Sequence, residues 1–418
     1  MKIAILTYGS RGDVQPLLAL ALGLKERGHS VRLAAPLRFK NFIEEQGVGF
    51  VPLAGDPEDL SRRLNDAGYN FIKMVRELMN HAVGIGADVL RQTEAACQDV
   101  DLILHTFTHA VGAHTLAREK KIPDIHVQIF PMFGSTGDYP NVTLPDLGSH
   151  SLNRLTHTLS EKITWWTARI GFERVRRRAG LPKRKLYWPF DNDPLRPRTP
   201  ILCAWSPGIL PASSDWPPEM HVTGYYFLRN NADQLPSELQ SFLQVGEPPV
   251  CISFGSMVHR DMKRVDRVIH ESLRQAGKRG IILSGWSRVG ARSSKDVLYL
   301  EAAPHDRLLP LCEMVIHHGG AGTTAAGLRA GIPNIVVPFT ADQPFWGRRV
   351  HAIGAGPRPI LVKDLSVEKL RWAIAEAEMD AVRERARAVG REIRNEAGID
   401  QAVKIIEKYF NDFHSCHL

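Results

Sequence analysis

Residues 314 to 344, MVIHHGGAGTTAAGLRAGIPNIVVPFTADQP, join an apolar strand to a helix-like run through His317, His318, Gly319, Gly320, Gly322, Thr323 and Thr324. Glycines in such a turn let the backbone come close to a cluster of oxygens, and the helix behind it offers unpaired N–H groups and the positive end of its dipole. The group that such a turn holds is a phosphate or diphosphate. His318 and Thr323 add side-chain donors, and His318 would carry charge if the anion raised its pKa. The neighbouring histidine reads as packed or solvated, and Gly331 and Pro333 as helix end and turn.

A second chemistry fits the same residues. Gly320, Gly322 and Ala325 satisfy G-x-G-x-x-G/A, and Asp342 lies 20 residues beyond Gly322, where a dinucleotide fold places its ribose-binding acid. A nicotinamide enzyme would follow from that pattern alone. Against it, the pattern falls late in its domain, histidines precede it, and the acid is embedded in ADQPFW. Asp342 beside Gln343 at a strand end suits the paired hydroxyls of a polyhydroxylated ligand. A P-loop is excluded, because no G-x-x-x-x-G-K-[ST] occurs.

An earlier turn, TYGSRGDVQP, sets Asp13 after Gly12. Its carboxylate is either a base or the cap of a helix beginning near Pro16. His105 and His109 follow the strand-like VDLIL, and both read as packed or polar groups ahead of catalytic ones.

These turns need strands to carry them. KIAILTY, SVRLAAP and GFVPLA alternate with helical patterns, and VDLILHTF and IHVQIF continue the βα rhythm, which implies a parallel sheet. The rhythm restarts at PPVCISFGS. Two doubly wound domains result: 1 to 212, a linker at 213 to 235, and 236 to 397, with a helix from 398 to 418 packing back toward the first. Ligands of such sheets bind outside the carboxyl ends of the strands, so a cleft between the domains is the expected site.

Across 418 residues the composition is 44% apolar and 23% charged, that of a soluble globular protein. Five scattered cysteines indicate neither a disulfide framework nor a zinc site, and no apolar run reaches the length of a membrane span. A cytoplasmic protein, peripheral to a membrane at most, is expected. The net charge of +8 concentrates between Asn153 and Lys185, where Trp165, Trp166, Ile170 and Phe172 mix with arginines. An amphipathic helix that buries the aromatics is one reading, and attachment to anionic lipid is the other. Nucleic acid is not expected, because no recognisable binding module accompanies the charge. The loop at 134 to 149, rich in Gly, Pro, Ser and Asp, reads as functional or mobile.

In order along the chain, GSRGDVQP, DWPPEMHVTGYYFL, ISFGSM, LSGW, APHDRLLP, HHGGAGTT and PFTADQPFW resemble the nucleotide-sugar glycosyltransferases of the GT-B fold. The likeness is to the branch holding sterol 3-beta-glucosyltransferases and bacterial antibiotic glycosyltransferases. It implies two Rossmann-like domains facing a central cleft, and inverting, metal-independent transfer of a sugar to an acceptor hydroxyl. Asp13 stands where this branch has its base. Ser256, His318, Gly320, Gly322 and Thr323 would hold the leaving diphosphate, Asp342 and Gln343 the sugar, and His305 is a further donor-binding residue. Ser10 and Arg11 would touch the donor from the other domain. Plant relatives stack a tryptophan on the base where this chain has Ala302, so Trp286 is the substitute, or else a core residue. UDP-glucose follows from the sterol-like motifs, and a dTDP-sugar of secondary metabolism from the antibiotic-like ones. The acceptor would be sterol-like or otherwise hydrophobic, taken up by the first domain.

Overall fold

The computed structural model describes residues 1–60, 63, 71–142, 144, 147–191, 197–228, 235–255, 262–285 and 293–415. Two compact units result: Met1–Pro207, Pro211–Leu228 and Ala397–Leu418 form the first, and Gly208–Leu210 with Arg229–Glu396 the second.

The first unit is built on seven strands, β1 (Lys2–Leu6), β2 (Ser30–Pro36), β3 (Gly49–Leu53), β4 (Leu102–His105), β5 (Asp124–Gln128), β6 (Ile201–Cys203) and β7 (Met220–Val222), in the order β3-β2-β1-β4-β5-β6-β7. Every pairing is parallel. KIAIL and LILH are apolar almost throughout because helices cover both faces of the sheet. Ile3 and Ile5 pack to one side with α1 (Arg11–Glu26), while Ala4 and Leu6 pack to the other with α2 (Phe71–Ala96) and α3 (Ala110–Lys120). A long helix, α4 (His150–Arg178), precedes β6.

The second unit repeats the plan with β8 (Val250–Ser253), β9 (Gly280–Leu283), β10 (Val297–Leu300), β11 (Met314–His317) and β12 (Asn334–Val336), again all parallel, in the order β10-β9-β8-β11-β12. Its helices are α5 (Met262–Ala276), α6 (Ala321–Ala330), α7 (Gln343–Ala352), α8 (Val367–Ala377) and α9 (Asp380–Arg394). The chain then returns to the first unit. In α10 (Gly398–Ser415), Ala402, Val403 and Ile406 are buried in the same core as Leu17, Leu20 and Leu24 of α1. A Cβ at Gly23 would lie 2.2 Å from Cγ2 of Ile399, so α1 and α10 touch almost backbone to side chain.

Several expectations need correcting. The segment at 213 to 235, read as linker, supplies β7 to the first sheet. The loop at 134 to 149 is anchored where described: Asn141 N–H donates to Thr156 Oγ1 at 2.8 Å and Gly137 N–H to the Asp215 carboxylate at 2.8 Å. On α4, Trp165 and Phe172 pack against the Phe133 and Trp188 cluster, but Trp166 is exposed. Cys97, Cys203, Cys251 and Cys312 are buried free thiols, and Cys416 lies outside the described residues. Among the described residues no helix is long and apolar enough to cross a membrane.

Candidate functional site

In an open parallel sheet the crevice forms where the strand order reverses. The first sheet reverses between β1 and β4, the second between β8 and β11. The two glycine turns leave the carboxyl ends of β1 and β11, so each lies at the reversal of its own sheet.

At the first turn the helix does not begin near Pro16. Ser10 is the N-cap of α1 and Asp13 its third residue, and together they close a capping box. The Ser10 hydroxyl accepts from Gly12 N–H at 3.2 Å, while Asp13 Oδ2 accepts from Ser10 N–H at 2.7 Å and from Ser10 Oγ at 3.0 Å. Gly9 makes room for this carboxylate. Its φ is +151°, and a Cβ there would meet Asp13 Oδ2 at 2.3 Å. Burial raises the Asp13 pKa above the ordinary carboxylate value, against the opposing contacts from Ser10. The side chain is thus a cap and a candidate base at once. Arg11 is engaged locally, with Nε donating to Gln15 Oε1 at 2.9 Å and the guanidinium 4.7 Å from the Phe42 ring centroid.

The second turn is built differently. Gly320 is the N-cap of α6 and provides no side-chain cap, and the first intrahelical bond runs from Thr324 N–H to Gly320 O at 3.0 Å. The N–H groups of Ala321, Gly322 and Thr323 therefore precede the helix ladder. Gly319 has φ +89°, and a Cβ there would lie 2.6 Å from Cγ1 of Val336. A Cβ on Gly320 would lie 2.4 Å from Nε2 of His318. His318 is thereby packed over the helix start. Burial lowers its pKa to about 4, with the Ser253 carbonyl opposing the shift, so the imidazole is neutral at pH 7. Its Nδ1 is buried with no hydrogen-bond partner among the described residues.

His317 does something else. Its Nε2 donates to Asn334 Oδ1 at 3.0 Å, so its Nδ1 accepts from Gly319 N–H, at 3.1 Å. Burial holds its pKa near 3, which keeps this tautomer neutral. The ring ties the glycine turn to β12. Sequence reasoning assigned one histidine of the pair to packing but had no signal for this tie. Ser253 Oγ lies 3.3 Å from His305 Nε2 at the end of β8, a contact that sequence reasoning also missed.

Asp342 and Gln343 stand beside this turn, since a Cβ on Gly319 would meet Gln343 O at 2.9 Å. Asp342 is the N-cap residue of α7, and its Oδ2 accepts from the Trp346 indole at 2.9 Å. Gln343 Oε1 accepts from Phe339 N–H at 2.8 Å and Thr340 N–H at 3.1 Å. Both side chains are held in fixed positions. His305, His318, Gly320, Gly322, Thr323, Asp342 and Gln343 thus all belong to the second unit, and Ser10, Arg11 and Asp13 to the first. Ser256 and Trp286 lie outside the described residues.

His105 and His109 are buried in the first unit. Asp124 Oδ2 lies 3.0 Å from His105 Nε2 and 2.9 Å from His114 Nδ1, and its carboxyl is held well below its usual pKa by these partners in spite of burial. His109 is pushed down to about 4 by burial. The dinucleotide pattern fails on topology. Such a fold carries its fingerprint after its first strand, whereas β11 is the fourth of five in chain order.

Comparison with known proteins agrees with this architecture. Residues 3–129 match the profile of the glycosyltransferase family 28 N-terminal domain, and residues 291–407 that of the erythromycin biosynthesis protein CIII-like C-terminal domain. A sterol 3-beta-glucosyltransferase of Arabidopsis thaliana is 34% identical over 98% of this chain, which spans 66% of that relative. Of an Aspergillus clavatus sterol 3-beta-glucosyltransferase, also 34% identical, the chain spans 29%. O-mycaminosyltylonolide 6-deoxyallosyltransferase of Streptomyces fradiae is 35% identical, with 100% of this chain and 99% of the relative covered. Among solved structures, the glycotransferase of kitacinnamycin superposes with a TM-score of 0.70 at 21% identity, covering 98% of this chain and 99% of its own. A Streptomyces sp. glycosyltransferase complexed with thymidine diphosphate gives 0.63 at 20% identity, covering 98% and 99%.

Proposed function

Starting from the membership of this chain in the GT-B glycosyltransferases, we propose that it transfers glucose from UDP-glucose, with inversion and without a metal, to a hydroxyl of a sterol-like or other lipophilic alcohol. The observation that carries the reading is the start of α6. Three N–H groups precede its ladder, no side chain caps them, and the neutral His318 ring packs against Gly320 at their edge. A diphosphate supplies the acceptors that these donors lack.

In this reading Asp13 accepts the acceptor's proton while the acceptor oxygen attacks the anomeric carbon. The bond from that carbon to the diphosphate breaks on the opposite face, so the configuration inverts. The negative charge that develops on the diphosphate meets the α6 N-terminus, the His318 N–H and the Thr323 hydroxyl. These groups are already in place before the reaction, which is how such stabilisation serves in place of a cation. Ser256 and His305 belong to the same diphosphate site, Asp342 and Gln343 orient the sugar hydroxyls, and Ser10 and Arg11 complete the donor contacts. Trp286 takes the stacking role that Ala302 cannot.

A second donor has its own support. The Streptomyces relative that the chain covers almost end to end is a deoxysugar transferase by name, which favours a dTDP-sugar and a secondary metabolite as acceptor. One experiment separates the readings. Melting of the purified protein is followed with UDP, dTDP and NAD in the presence of EDTA, where a ligand at 100 times its Kd adds about 2.7 kcal/mol. A shift with UDP above that with dTDP supports the first donor, and the reverse supports the second. A shift with NAD alone removes the transferase site. Transfer abolished by EDTA and restored by a divalent ion overturns metal independence.

A further inference from the structure

The long helix α4 carries an exposed apolar surface. Leu152, Leu155, Leu159, Ile163 and Trp166 are 45 to 64% exposed. At about 100° per residue their spacing of three and four confines them to an arc of roughly 80°, a single stripe from the first turn to the middle of the helix. The other side is the one that packs: Asn153, Thr156, His157 and Val175 are buried, and Trp165, Ala168 and Phe172 lie against the Phe133 and Trp188 cluster. Isolated exposed leucines are ordinary, but five large apolar side chains in one line mark a binding surface.

The charge around the stripe points to the occupant. The helix has seven basic and two acidic side chains. Of the two acids, Glu161 is turned inward, where burial raises its pKa and the Gly134 N–H opposes the shift, and Glu173 is exposed beyond the stripe's end among Arg169, Arg174 and Arg177, which outnumber it. Lys162, Arg169, Arg174, Arg177 and Arg178 are exposed. Lys162 and Arg169 flank the stripe, and Arg174 and Arg177 continue its line toward the helix C-terminus. An apolar line bordered by cations is the complement of an anionic bilayer, with acyl chains meeting the stripe and headgroup phosphates the arginines. A second copy of the chain would bring the same cations face to face, which opposes self-pairing through this surface.

We propose that α4 seats the protein on the surface of an anionic membrane, lying in the plane of the interface with Leu152, Leu155, Leu159, Ile163 and Trp166 turned into it. The surface is independent of the donor site, so the proposal stands or falls apart from the transfer reading.

The test is co-sedimentation with vesicles of phosphatidylcholine alone and of phosphatidylcholine mixed with phosphatidylglycerol, at low and high salt. Melting and gel filtration are followed in parallel. The wild-type protein should pellet with the anionic vesicles at low salt and less with the neutral ones. Leu155→Ser combined with Leu159→Ser and Ile163→Ser should weaken that binding by about tenfold or more with an unchanged Tm, because these side chains support no core. Arg174→Gln with Arg177→Gln should reduce both the binding and its salt dependence. Failure to pellet with anionic vesicles at low salt overturns the proposal, as does equal binding by the triple serine variant. A wild-type dimer that the serine variant converts to monomer, without vesicle binding, assigns the stripe to a second copy and overturns it too.

Discussion

The two glycine turns both border the strand-order reversal of their own sheets, one after the first strand and the other after the fourth, and they are finished in opposite ways. At the start of α1 the donors are met from within: Ser10 caps Gly12 N–H, and Asp13 brings a carboxylate to the Ser10 N–H. At the start of α6 the N-cap is Gly320, which has no side chain to offer. The positive end of one helix already holds its own anion, and that of the other carries no side-chain cap. A carboxylate must be partly desolvated to sit as Asp13 does, and the same burial raises its proton affinity and makes it a stronger base near neutral pH. Asp13 is a cap in this structure, and its raised proton affinity is compatible with the proposed role as base.

The largest effect expected from breaking this contrast is on Asp13. Asp13→Asn keeps an oxygen for the Ser10 N–H and loses the base, so kcat should fall by about 10²- to 10⁴-fold with little change in melting. Its pH behaviour adds a second reading. Because the folded pKa of Asp13 is raised, the stability tied to its protonated form is complete below the ordinary carboxylate value and is lost as pH rises through the raised one. The asparagine variant should escape that loss. In the wild-type enzyme kcat/KM should fall as pH drops through the raised value, at a higher pH than an ordinary carboxylate would give. Rate profiles and melts across the acid range check both.

His317→Leu should come next in size. It removes the acceptor for Gly319 N–H and leaves the Asn334 carbonyl oxygen buried without its donor, a loss of about 1–3 kcal/mol of stability. Denaturant unfolding measures it, and diphosphate binding should weaken with it.

Gly320→Ala acts on the second turn alone. The added methyl meets the His318 ring and displaces it, and UDP or dTDP binding should weaken by about tenfold, or 1.4 kcal/mol, in calorimetry while the melt of the free protein changes less. Ser10→Ala is the mildest change. It removes one cap hydroxyl, for about 1 kcal/mol of stability, and leaves the Ser10 N–H to hold Asp13, so kcat should fall far less than in Asp13→Asn while KM for the donor rises with the lost contact.

Much of this was legible in the chain. Short continuous apolar runs between helical patterns gave the alternation of strands and helices, and S-x-x-D in GSRGD is a capping-box pattern that does not show in a helix start placed at Pro16. Other features were not. MHV at β7 is too short to read as a strand beside prolines, and only the edge of the first sheet makes it one. Trp165 and Trp166 are chemically identical neighbours, and their fates differ because successive residues of α4 project about 100° apart, which points one of them at Trp188 and the other outward.

The order of motifs, the strand-to-helix rhythm and the residue types at the two turns all follow from local sequence, because backbone propensity and side-chain chemistry are local properties. Which histidine of the pair clamps the turn was decided by the pairing of β11 with β12. That register sets Asn334 within reach of His317, while the packing of Gly255 and Gly320 shapes the place of His318. Asn334 lies 17 residues from His317, and Gly255 lies 63 from His318, only in number. Their distance in space is a property of the fold, and no local pattern contains it.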